Sequence, residues 1–180
     1  MSQRIIICGV SESGKTAMAN HLIKASPYPV FIRDPVGADW ARCDAMFETS
    51  DELRVLLEKQ KGAPCICVID EGADFFTVGQ KQNHWIFTRG RHHAMLPIVI
   101  CHYVKAMAPI VRDQATDLYC FESGVETADI LAASYNMQEL SNAHELTQGE
   151  FFHVRRVAGV RTLTQHVLFK PSEPTKSQDK

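Results

Sequence analysis

The chain has 180 residues, 45% of them hydrophobic and 22% charged, with a formal net charge of −2. That is enough for one compact domain with a real core, and too close to neutral for a generic polyanion binder. No apolar run approaches a membrane span and the N-terminus does not read as a signal peptide, so a cytoplasmic location is expected.

Arg4 to Cys8 is a short, β-branched apolar run and predicts a buried strand. It leads into Gly9, Val10, Ser11, Glu12, Ser13, Gly14, Lys15 and Thr16, then Ala17. Gly, four residues, Gly, Lys, Thr is the P-loop spacing. In that pattern backbone N–H groups curl around phosphate oxygens, Lys15 reaches the β- and γ-phosphates, and the Thr16 hydroxyl ligates Mg2+. Thr16 to Ala25 predicts a helix, with Met18, Leu22 and Ala25 on one face, ending before Pro27 and Pro29. Its positive end would point at the anion. Strand, loop and helix come in the required order, so ATP and Mg2+ are the expected cofactors. No base-reading motif separates ATP from GTP.

Tyr28 to Arg33 predicts a second strand, broken by Asp34-Pro35, and the stretch VGADWARCDAMF reads as irregular. Thr49 precedes Glu52 at capping-box spacing and opens a helix over Asp51 to Lys61, which buries Leu53, Leu56 and Leu57 and stops at Gly62. Cys65 to Ile69 predicts a third strand that ends in Asp70-Glu71, the Walker B arrangement. Asp70 would hold the Mg2+ shell opposite Thr16, and Glu71 would polarise a water for attack on the γ-phosphate. The bland alternative is that Glu71 merely starts a helix, where an acid is favourable.

Further predicted elements are a helix over Gln80 to Phe87, a strand over Pro97 to Cys101, and a short helix over Ala108 to Gln114. A strand over Leu118 to Phe121 and a helix over Val125 to Tyr135 follow. Phe151 to Val157 and Arg161 to Phe169 pair as a hairpin across Ala158-Gly159. Pro171 to Lys180 has no hydrophobic anchor and is expected to be disordered, leaving residues 1–170 as a single domain. Alternating strands and helices predict an α/β fold with a mainly parallel sheet, flanked by helices and edged by an antiparallel hairpin. Ligands gather at the carboxyl ends of such strands, where the loops from Gly9, Asp70 and His102 should converge.

The six cysteines lie mostly in predicted buried strands and read as small hydrophobes. Cys65 and Cys67 share a strand face, but no second Cys or His pair stands at zinc spacing. Charge is segregated: Asp34 to Asp74 holds ten acids against four Lys or Arg, whereas Phe75 to Arg112 holds no acid. That asymmetry suits DNA contact by the basic part, head-to-tail self-association, or simply a solvated basic face.

The motifs GVSESGKT, CICVIDE, FTRGRHH before LPIVICH, and GEFFHV together resemble the FtsK/HerA superfamily of P-loop ATPases, over Arg4 to about Phe169. More narrowly, the chain is similar to the small DNA-packaging ATPases of viruses and phages. The resemblance implies a RecA-like motor that hydrolyses ATP to translocate double-stranded DNA as a homo-oligomeric ring. A portal or capsid vertex protein would be a further partner, and the location would be host cytoplasm or virion. It places Lys15 and Thr16 in Walker A and Asp70 and Glu71 in Walker B. His102 falls where the family usually carries a glutamine that senses the γ-phosphate. Arg89 and Arg91 resemble arginines presented to a neighbour's nucleotide, and Arg112 is a second candidate. Lys81, Lys105 and the histidine-bearing turn are the candidate DNA contacts. Two rival readings use the same P-loop. In a small P-loop kinase, Asp34 would hold the acceptor hydroxyl and Arg89-Gly-Arg91 would form a lid. In a nucleotide-gated interaction protein, ATP would bind with negligible turnover.

Overall fold

Three stretches, IIIC, CICVI and MLPIVIC, are apolar at every position, which fits strands covered on both faces. In the computed structural model, which describes residues 3–169, they become β1 (Ile5–Cys8), β4 (Cys65–Ile69) and β5 (Met95–Cys101). With β2 (Val30–Arg33), β3 (Ala45–Met46), β6 (Asp117–Phe121), β7 (Glu150–Val157) and β8 (Val160–Val167) they form one eight-stranded sheet. Its order is β3-β2-β4-β5-β1-β6-β7-β8. The first six strands run parallel; β7 and β8 are antiparallel additions at one edge. The expected mixed α/β sheet with a terminal hairpin is therefore present.

Side chains alternate across the sheet and build two cores. On one face, Ile5, Ile7, Val68, Ile98 and Ile100 pack against Met18, Ala19 and Ile23 of α1 (Lys15–Lys24). On the other, Ile6, Cys67, Ile69 and Val99 meet α2 (Ser50–Gln60), α3 (Gly72–Phe75), α4 (Trp85–Arg89), α5 (Pro109–Gln114) and α6 (Val125–Tyr135). Five cysteines are buried and Cys43 is exposed; all six are free thiols. Burial pushes the Cys65 thiol up to about 11, so it is an inert hydrophobe at neutral pH.

Local signals gave most boundaries within two residues, with instructive exceptions. The Thr49 hydroxyl accepts from the Glu52 N–H at 3.2 Å, but the Glu52 carboxylate reaches back to Glu48 N–H rather than to Thr49. The left-handed residue ending α2 is Lys61, with Gly62 just beyond it. The stretch expected to be irregular contributes β3, two residues paired to Phe31 and Ile32. The predicted helix over 80–87 is instead a 3₁₀ turn at Lys81–Asn83 followed by α4. The short α3 follows Glu71, the helix start weighed there, whereas a 3₁₀ stretch at Gln138–Glu145 had no forecast. The tail from Pro171 lies outside the described residues.

Candidate active site

The loop after β1 is built for backbone N–H groups to converge. Glu12 and Gly14 adopt positive φ, 61° and 119°, which turns successive amides toward one side. A side chain at Gly14 would also press on the Phe121 ring, 3.0 Å from an added Cβ. Gly14 caps α1, so the loop opens directly onto that helix's positive end.

Sheet order then determines what faces the loop. β5 lies between β1 and β4, with Cys8 level with Cys101 and Ile69 level with Val99. The three strands end together, so Lys15, Asp70-Glu71 and His102 meet at one edge. The Lys15 Nζ donates to the Val10 carbonyl at 2.6 Å and lies 3.3 Å from His102 Nδ1. His102 Nε2 lies 3.2 Å from Glu71 Oε1. An ammonium can only donate, so Nδ1 accepts from it, the ring proton sits on Nε2, and Nε2–H donates to Glu71. His102 thus links Lys15 to Glu71, and it is half-exposed rather than a core histidine.

Glu71 does cap α3, as the bland alternative would have it, but its side chain makes no capping bond and turns to His102 instead. Its φ of 51° is unusual for a non-glycine and marks a position held by its surroundings. Burial pulls the Lys15 ammonium below the usual lysine value. Burial likewise raises the Asp70 carboxyl, opposed by the Glu71 N–H that it accepts at 2.9 Å. Each is a desolvated charge that a counter-charge would stabilise: a triphosphate for Lys15, a divalent cation for Asp70. Among the described residues no three His, Cys, Asp or Glu side chains gather as metal ligands. One carboxylate and the Thr16 hydroxyl are a donor set that suits Mg2+, which keeps waters and shares phosphate oxygens.

The remaining candidates lie elsewhere. Arg89 and Arg91 are exposed at the amino end of β5, and Arg91 is near enough to Arg4 to depress its pKa, after burial. Seven residues of β5 separate them from His102, about 20 Å. Neither can touch a nucleotide held by its own Lys15. Arg112 donates to the Val104 carbonyl at 2.7 Å within its own chain. Lys105 is paired with Glu126 at 2.6 Å, whereas Lys81, His92 and His93 are exposed. Asp34, the kinase reading's acceptor-holder, is buried and committed to its own loop. It accepts from the N–H groups of Val36, Gly37 and Ala38 and from the Trp40 indole at 2.5–2.9 Å.

A cavity of about 310 Å3 opens beside Gly14, Lys15, Thr16 and Ala17. It is also lined by Gln148 and Phe169, which no local pattern marked, because they reach the loop only through β7 and β8. A larger cavity of about 450 Å3 lies at the opposite end of the sheet, beside Trp85 and Arg89, away from the loop.

A sheet with this strand order and a Gly-rich loop between β1 and α1 defines the P-loop NTPase fold. Comparison with solved structures finds the same fold in several proteins. The genome packaging NTPase B204 of Sulfolobus turreted icosahedral virus 2, in complex with AMPPCP, superposes with a TM-score of 0.73 at 17% identity, covering 93% of this chain and 98% of that one. The N-terminal domain of zonular occludens toxin from Neisseria meningitidis gives 0.57 at 15% identity, over 94% and 96%. Thermomonospora curvata EccC (ATPases 2 and 3), in complex with a signal sequence peptide, gives 0.64 at 13%, over 94% of this chain and 37% of that one. At these identities the likeness concerns the fold alone. No protein-family model matches the chain, and no curated protein matches it.

Proposed function

We propose that the chain is an ATP-hydrolysing motor that translocates double-stranded DNA as a ring of identical subunits, in the packaging of a viral or phage genome. The observation that carries this reading is the Lys15–His102–Glu71 chain at the mouth of the phosphate loop. The likeness to a protein described as a genome packaging NTPase points the same way. A kinase needs no glutamate held beside the γ-phosphate, and Asp34 has no free oxygen for an acceptor hydroxyl.

In the proposed mechanism the loop amides and Lys15 hold the β- and γ-phosphates. Glu71 takes a proton from water as its oxygen attacks the γ-phosphorus in line; the bond to the β,γ-bridging oxygen breaks and ADP leaves. His102 keeps the Glu71 carboxylate aimed and hands Lys15 an alternative partner until the triphosphate arrives. Mg2+, held by Thr16 and Asp70, would neutralise charge on the phosphate oxygens. Arg91, with Arg89 as the alternative, serves the neighbour's site, which makes turnover depend on assembly. Residues 1–170 form the single motor domain, working in host cytoplasm or on the virion, where a portal or capsid vertex protein supplies the targeting. No helix among the described residues is long and apolar enough to cross a membrane.

The test is phosphate release from ATP and Mg2+, with and without linear double-stranded DNA, for the wild type and Glu71→Gln. Stimulation by DNA that Glu71→Gln abolishes is the expected result. Turnover indifferent to both DNA and the substitution would overturn the motor reading.

A further inference from the structure

The cavity beside the phosphate loop has a wall that no motif accounts for. Residues 147–149 and 168–169 come back from the terminal hairpin and dock on the loop. Gly149 N–H donates to the Ser13 carbonyl at 3.0 Å, and Gln148 Nε2 donates to the Glu12 carbonyl at 3.0 Å. Leu168 N–H donates to the Gly149 carbonyl at 2.8 Å, which ties the two segments together.

These bonds seat the Phe169 ring between two glycines. The ring lies 3.3 Å from where a Cβ on Gly14 would be, and 3.2 Å from one on Gly149. A Cβ on Gly149 would also collide with the Phe169 carbonyl oxygen, so only glycine lets the chain pass there. An aromatic ring placed so closely would be expected to be buried, yet 36% of Phe169 stays exposed, and it lines the cavity. The cavity therefore runs from phosphate-binding groups at Lys15 and Thr16, past Ala17, to an aromatic ring and an amide. Gln148 gives one N–H of Nε2 to the loop, and its amide oxygen is the acceptor it can offer a ligand.

Resting on the phosphate-loop reading above, we propose that Phe169 and Gln148 form the base side of the nucleotide site. Phe169 stacks on the nucleobase and Gln148 accepts from its edge. The hairpin added at the end of the sheet thereby becomes part of the ligand site, and a nucleotide would pin it to the loop.

The experiment compares equilibrium binding of two probes, Mg-ADP and inorganic tripolyphosphate, to the full chain and to Phe169→Ala and Phe169→Trp. Base–aromatic stacking predicts that Phe169→Ala weakens ADP by about tenfold and leaves tripolyphosphate unchanged. Phe169→Trp should retain ADP, which should quench the new indole while tripolyphosphate does not. Equal weakening of both probes, or no weakening of ADP while tripolyphosphate still binds, would overturn the base-side assignment alone. If the wild type bound neither probe, the phosphate-loop reading would fall and this assignment with it.

Discussion

His102 offers the sharpest test of how the site works. His102→Ala removes the acceptor facing Lys15 at 3.3 Å and the donor facing Glu71 at 3.2 Å. A hydrogen bond to a charged group contributes about 1.5–3 kcal/mol. Here the side chains of His102 and Glu71 are 37% and 28% exposed, so water replaces part of each lost contact. About 1.4 kcal/mol of transition-state positioning remains at stake, a tenfold fall in kcat. A glutamine in the same place presents one amide donor and one carbonyl oxygen, the same pair that the imidazole offers. His102→Gln should therefore fall by no more than about threefold, from the same 1.4 kcal/mol-per-decade scale. The assay is steady-state phosphate release at saturating ATP and DNA, with kcat and KM resolved separately. An alanine variant that kept most of its kcat, or a glutamine variant as impaired as alanine, would show that the bridge does not position Glu71.

Two further expectations concern the subunit and its neighbour. Because Arg91 lies about 20 Å from its own phosphate loop, Arg91→Ala and Glu71→Gln should each be inactive alone yet recover turnover when mixed; a mixture as silent as its parts would remove Arg91 from the neighbour's site. Asp34 offers a pH signature: burial alone would raise its carboxyl, and bonds from Trp40, Gly37, Val36 and Ala38 outweigh that and hold it below 3.8. A depressed carboxylate stabilises the fold above its unfolded value and loses that contribution as pH falls through its folded value. Asp34→Asn should therefore lower stability by about 2 kcal/mol at neutral pH, with the gap closing below pH 3.8 in denaturant titrations; a gap that widened with acid would refute the sign.

Short-range physics was enough for much of this molecule. The P-loop spacing of glycines, a lysine and a threonine fits within eight residues, so Gly9 to Thr16 could be named as a candidate phosphate loop from the sequence, and the all-apolar central strands were legible as written. Thr49 announced its helix because capping is a contact between near neighbours. What could not be read locally were contacts between distant residues. β3 is two residues long and exists only because β2 lies beside it. Asp34 looked like a free carboxylate until its loop closed on it. His102 could be named, but its link from Lys15 to Glu71 depends on β5 being laid between β1 and β4, a choice of strand order made by packing across the whole sheet. Phe169 stands 153 residues beyond Thr16, and only the antiparallel return of β7 and β8 brings the two to one cavity. The sequence by itself determined the candidate phosphate loop and the apolar strands around it, because those patterns are local; the tertiary structure alone decided which side chains face the loop, because strand order and register are properties of the assembled sheet.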